Sequence, residues 1–146
     1  MLSDFLQAEV DALLRMEKFR VDGTEHPFPD LGGNIEIPLH SADQRESFSL
    51  DISRRRIALT TKYQTRGRQV LVLARLDFNS PHRNPDHTEV GIPHLHLYQE
   101  GYGDKWAYDV PAEMLKNPLD AWQVLADFMA YCCIVEPPNI TRGLFL

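Results

Sequence analysis

Residues 75–106 hold four of the chain's six histidines: His82, His87, His94 and His96. The same stretch carries Arg75, Asp77, Arg83, Asp86, Glu100, Asp104 and Lys105. In an extended strand, side chains alternate between two faces. The run from Ile92 to Glu100 therefore puts His94, His96, Tyr98 and Glu100 on one face, and Leu95 and Leu97 on the other. If that strand pairs antiparallel with residues 69–78, Arg75 and Asp77 join the histidine face. A dense group of titratable side chains is then carried on rigid strands rather than on a loop.

Three chemistries suit such a group. His94 and His96 can supply two imidazoles to one ion, zinc or another divalent transition metal, with His82, His87, Asp86 or Glu100 completing the set. Without a metal, imidazoles exchange protons near neutral pH, and Arg75, Arg83 or Lys105 can stabilise a phosphate or an oxyanion. The third reading is non-catalytic: the imidazoles bond to Asp77 or Glu100 beneath Tyr102 and Trp106, and the face docks a protein partner. Tyr98, Tyr102, Trp106 and the arginines are residue types that interfaces favour. On this reading Asn84-Pro85-Asp86 is an ordinary turn.

The elements that must position these residues follow from periodicity. Residues 3–19 read as an amphipathic helix, with Ser3 as cap, Asp4 at its positive end, and Leu6, Val10, Leu13 and Leu14 as its apolar stripe. Lys18 and Arg20 suit its C-terminal end. Prolines and glycines punctuate residues 21–33, where His26 reads as a surface residue. Alternating strands follow at 34–39, 47–52 and 56–64, the last with Ile57, Leu59 and Tyr63 inward. Strand 69–78 places Val70, Val72, Ala74, Leu76 and Phe78 on one face, and Leu71, Leu73, Arg75 and Asp77 on the other. Gly101 and Gly103 end the next strand, and a short return strand runs to about residue 110.

Near the C-terminus, Asn117-Pro118 opens a helix to about Ile134. Its buried stripe is Leu119, Trp122, Leu125, Ala126, Phe128, Met129 and Cys132. Pro137-Pro138 ends regular structure, and Phe145 and Leu146 belong to a tail. The expected fold is α+β: a single domain over 1–146, with an antiparallel sheet of about five to six strands. The N-terminal helix and the C-terminal helices pack on one face of that sheet.

Composition bounds the function. Apolar residues make up 43% and charged residues 25%, as expected of a soluble globular protein. No run of about 18 apolar residues exists to cross a membrane. The acidic, soon polar N-terminus does not read as a secretory signal, and Cys132 and Cys133 suit a reducing compartment, so the expected location is cytoplasmic. A net charge of −6 argues against a large phosphate-binding footprint. Arg54-Arg55-Arg56, with Lys62, Arg66 and Arg68, is a local basic exception that reads as a solvated hairpin.

Two known arrangements fail on their residues. The spacing His-x-His-x3-Glu occurs in the first cupin motif, but the glycine frame is missing and no histidine follows His96. His-Leu-His-Leu-Tyr resembles the histidine-triad nucleotide hydrolases, but Tyr98 stands where their third histidine belongs. A closer likeness covers most of the chain. Pro81-His82-x-Asn84-Pro85-Asp86, followed by Pro93-His94-Leu95-His96-Leu97-Tyr98-x-Glu100-Gly101-Tyr102-Gly103-Asp104-Lys105-Trp106-Ala107, resembles the signature of a domain-of-unknown-function family of small bacterial and phage proteins. The likeness extends upstream through Phe48-x-Leu50-Asp51-Ile52-x-Arg54 and Arg75-Leu76-Asp77. Downstream it reaches Asp127-Phe128-Met129-x-Tyr131-Cys132. The family's turn usually reads Asn-Pro-Asp-Gly, so His87 departs from its pattern and falls behind His82, His94 and His96 as a ligand. The resemblance implies a toxin–antitoxin, defence or counter-defence setting and no established activity.

The expected site is therefore His94 and His96 as acid–base pair or ligands, with His82 from the facing loop. Arg75 and Lys105 are its anion partners, and Asp77 or Glu100 orients an imidazole. The leading enzymatic expectation is metal-free phosphodiester, ribonuclease-like or nucleotide chemistry. Its rivals are a protein-binding module and a metal centre of His82, His94 and His96.

Overall fold

The computed structural model describes residues 5–56 and 61–142. The expected cap Ser3 with Asp4, the inward Ile57 and Leu59, and the tail residues Phe145 and Leu146 lie outside the described residues. In chain order come α1 (Gln7–Arg15), β1 (Lys18–Arg20), β2 (Glu25–Pro27), β3 (Asn34–His40), β4 (Ser47–Arg54), β5 (Thr61–Gly67) and β6 (Leu71–Asp77). They continue with β7 (His82–Arg83), β8 (Glu89–Val90), β9 (His94–Leu97), β10 (Ala107–Asp109), a 3₁₀ turn (Ala112–Met114), α2 (Ala121–Tyr131), β11 (Ile134–Glu136) and β12 (Asn139–Thr141).

The fold is α+β, built on an eight-stranded sheet in the order β10-β9-β6-β5-β4-β3-β1-β11. Its pairings are antiparallel except β1 with β11. The expected five to six strands undercount it. β1 and β11 fall where the sequence reads as helix ends, because three-residue strands carry too little alternation to be recognised. Likewise Pro137-Pro138 does not end regular structure, since β12 follows and pairs in parallel with β2.

Alternation along β3, β4 and β5 buries Ile37, Leu39, Phe48, Leu50, Ile52 and Tyr63 on one face, where α1 contributes Val10 and Leu13. α2 contributes Val124, Leu125 and Phe128 to the same core. Three expected stripe residues lie outside it, among them Ala126, which is exposed on α2. Leu6 is the exposed residue preceding α1, and Leu119 is 97% exposed. α2 starts later than expected because Asp120, not Asn117, caps it, its carboxylate accepting from the backbone N–H groups of Trp122 and Gln123.

β6 reconciles the two competing faces of its sequence through a bulge. Thr65 pairs with Ala74 and Arg66 with Val72, so Leu73 is the extra residue. Leu71 and Leu73 are buried before the bulge, and Ala74 and Leu76 after it. Arg75 and Asp77 then point away from the core. The β6–β9 register sets Arg75 opposite His96 and Asp77 opposite His94. The expected shared face forms.

Lys18 joins the two helices. Its side chain is fully buried, and Nζ donates to Leu14 O (2.9 Å), Met16 O (2.9 Å) and Cys132 O (2.8 Å). It thus serves the C-terminal carbonyls of both α1 and α2, where the helix dipoles favour a cation. Burial lowers its pKa to about 8, which leaves the ammonium charged at neutral pH. Lys18→Met keeps the stem but leaves three carbonyls without their donor, and should cost about 2–4 kcal/mol in equilibrium chemical denaturation. An unchanged denaturation midpoint would refute this tie.

Candidate metal centre

His94 and His96 lie on β9 and are each only 2% exposed. They stand on the sheet face away from the core, and are covered by the β7–β8 hairpin and by residues 104–106. His82, on β7, brings the third ring. The ring centroids lie 4.9 Å apart for His94 and His96, 4.6 Å for His82 and His96, and 5.7 Å for His82 and His94. One ring nitrogen from each histidine lies within 4.8 Å of the others.

The protonation pattern follows from the partners. Nδ1 of His94 faces Gly91 O at 3.0 Å, and Nδ1 of His96 faces Asp104 O at 2.8 Å. Nε2 of His82 faces Lys105 O at 2.6 Å. A carbonyl oxygen only accepts, so each of these nitrogens carries the proton and donates. Among the described residues, no hydrogen bond engages Nε2 of His94, Nε2 of His96 or Nδ1 of His82. The three rings thus have fixed tautomers and three lone-pair nitrogens left over. Ligating histidines commonly give their other N–H to a carbonyl or carboxylate in this way.

Electrostatics reinforces the neutral state at His96. Burial pushes its pKa down to about 4, and the charge of Arg75 adds to the effect. Arg75 itself donates from Nη1 to Asp104 Oδ2 at 2.5 Å. Asp104 therefore serves the site twice, by its carboxylate to Arg75 and by its carbonyl to His96.

The remaining expected residues separate. Glu100 is not in the cluster: its carboxylate accepts from the backbone N–H of Gln7 at 2.6 Å, at the start of α1. β9 ends at Leu97, after which the chain turns through Gly101 and Gly103 at positive φ, so the alternation no longer holds. Tyr98 consequently packs in the core. Asp77 shares the histidine face, but its carboxylate is engaged by Asn79 N at 2.8 Å and lies 3.9 Å from Lys62 Nζ. Backbone carbonyls, not Asp77 or Glu100, orient the imidazoles. Lys105 contributes its carbonyl to the site while its residue is exposed. His87 is exposed, and its φ of 70° is a left-handed conformation that suits the glycine usual at that position. The basic hairpin is neutralised in part within the chain, as Arg66 pairs with Asp51 and Glu36 and Arg68 with Glu9 and Glu46.

Sequence reading passed over Asn84. It is 6% exposed, and its side-chain amide forms two hydrogen bonds with the backbone of Ala107: Nδ2 to O at 3.0 Å, and Oδ1 from N at 2.8 Å. Its one sequence signal is its place two residues after His82, on the same side of an extended segment.

The depressed pKa of His96 gives a pH dependence of defined sign. In metal-free protein the folded state keeps His96 neutral, whereas an unfolded chain protonates it below about pH 6.5. Its contribution to stability is complete above that pH and is lost as the pH falls through the window down to about 4. Denaturation in chelator at several pH values should show this acid loss, reduced in His96→Gln. Parallel curves for the two proteins would refute it.

No curated protein and no solved structure matches the sequence. A family model does, over residues 5–134. With most of its length matched, including the histidine cluster, the chain belongs to the family of unknown function DUF6978.

Proposed function

We propose that His82, His94 and His96 hold a divalent transition metal, and that the centre supports hydrolytic chemistry. The observation that carries this reading is the tautomer pattern: three clustered imidazoles each give one N–H to a backbone carbonyl and keep the other nitrogen unprotonated. An acid–base pair needs a ring that gains and loses a proton near neutral pH. Buried His96, with its pKa near 4, is unsuited to that work. The same property suits a ligand, which must be neutral to bind.

The donor set is all nitrogen, which fits zinc and its neighbours in the first transition row rather than calcium or magnesium. Zn–N bonds of about 2.0–2.1 Å bring ligand nitrogens somewhat closer than the 4.8 Å limit seen here, so small rotations of the rings complete the set. Among the described residues the cluster supplies three groups, the number that catalytic zinc sites use while keeping a fourth position for water or substrate. An ion so held acts as a Lewis acid and yields a water nucleophile near neutral pH. Arg75 and Asp104 hold the His96 side of the centre in place. Exposed Lys105 flanks His82 and favours a phosphodiester or nucleotide substrate over a cationic one.

Elemental analysis of untagged protein, followed by titration of the chelator-treated protein with Zn²⁺ or Co²⁺, tests the reading. About one equivalent per chain is expected, with affinity lowered by roughly 10-fold or more in His82→Ala, His94→Ala or His96→Ala. A wild-type protein that neither carries nor takes up metal would sink the proposal.

A further inference from the structure

We infer that Asn84 is the positioning residue for the third ligand, acting by joining the β7–β8 hairpin to the free edge of the sheet; the inference rests on the metal reading above. β10 is an edge strand. Its partner β9 donates from Leu97 N to Trp106 O, and in an antiparallel ladder the next residue turns its N–H and C=O the other way. That residue is Ala107, whose free N–H and C=O both meet the Asn84 amide. The side chain thus stands in for the peptide group of a neighbouring strand.

Apart from the His82 bond to Lys105 O, the rest of the hairpin's hydrogen bonding among the described residues is internal. Asn84 N donates to Thr88 O, His87 N to Asn84 O, Thr88 Oγ1 to Asp86, and Arg83 pairs with Glu89. Among the described residues, three hydrogen bonds run from hairpin residues 82–90 to the 104–109 segment. Two belong to Asn84, and the third is His82 Nε2 to Lys105 O. His82 and Asn84 are two apart on an extended segment, and so are their partners Lys105 and Ala107. One side-chain pair therefore lies along one backbone edge. With the Asn84 bonds removed, His82 is left with a single bond to fix both its place and its tautomer. His94 and His96, held on β9, do not depend on the hairpin for their acceptors Gly91 and Asp104.

Zn²⁺ titration of wild type, His82→Ala and Asn84→Ala tests this, together with amide exchange at Ala107 and long-range ¹H–¹⁵N NMR of the ring tautomers in chelator. Asn84→Ala should lose affinity by about 10- to 100-fold, close to His82→Ala. It should also expose the Ala107 amide and average the His82 tautomer, while the His94 and His96 tautomers stay fixed. Wild-type affinity and an unchanged His82 tautomer in Asn84→Ala would overturn the inference. If that variant does not fold, Asn84→Asp decides: it keeps an acceptor for Ala107 N–H, loses the donor to Ala107 O, and should show the same effects at smaller amplitude. A wild type that binds no zinc removes the metal reading, and the His82 tautomer and Ala107 exchange then decide the role of Asn84 alone.

Discussion

The pairing of β9 with β6 governs the histidine centre. Leu95 lies opposite Leu76, and Leu97 opposite Ala74, so apolar burial on one face fixes which residues occupy the other. A slip of one residue would carry His94 and His96 into the core and expose the leucines. The hydrophobic side of the strand thus specifies the site without touching it. The bulge at Leu73 belongs to the same constraint, because it lets β6 bury leucines along its first half and still present Arg75 and Asp77 outward.

Three clustered imidazoles, two of them buried, are costly if any is charged, because a buried cation would be desolvated and charged rings would repel one another. Backbone carbonyls resolve this by accepting a proton from each neutral ring. They come from the loop before β9 and from the Asp104–Lys105 turn, not from acidic side chains. That choice leaves the local charge to Arg75 and Asp104, which pair with each other. A metal dication would then meet an uncharged nitrogen set with a neutral ion pair behind it.

Much of this was legible in the sequence, for physical reasons that can be assigned. The period of two placed His94 and His96 together and matched them with Arg75 and Asp77. The same rule misplaced Tyr98 and Glu100, because it holds only while the strand lasts, and the strand gives way after Leu97 to a turn built on Gly101 and Gly103. Lys18 suits a helix end by its charge. Its cationic role there is real, but it is exercised from a strand and shared between two helices. β11 and β12 carry no clear sequence signal because they are short and their partners β1 and β2 are remote in sequence. The carbonyl acceptors have no signature in residue type at all. Asn84 was hidden differently: asparagine before proline is common in turns, and nothing local distinguishes one that also reaches another strand.

The side-chain amide of Asn84 has a consequence for the molecule among its own copies. A free sheet edge presents unpaired N–H and C=O groups on which another chain can add a strand, an opening that folded proteins commonly block. At β10 the outward pair of Ala107 is already taken by Asn84 and overlaid by the hairpin. The contact that steadies His82 also keeps that pair from a strand of another molecule. Loosening the hairpin would free it for such a strand, so ring placement and edge protection share a single asparagine.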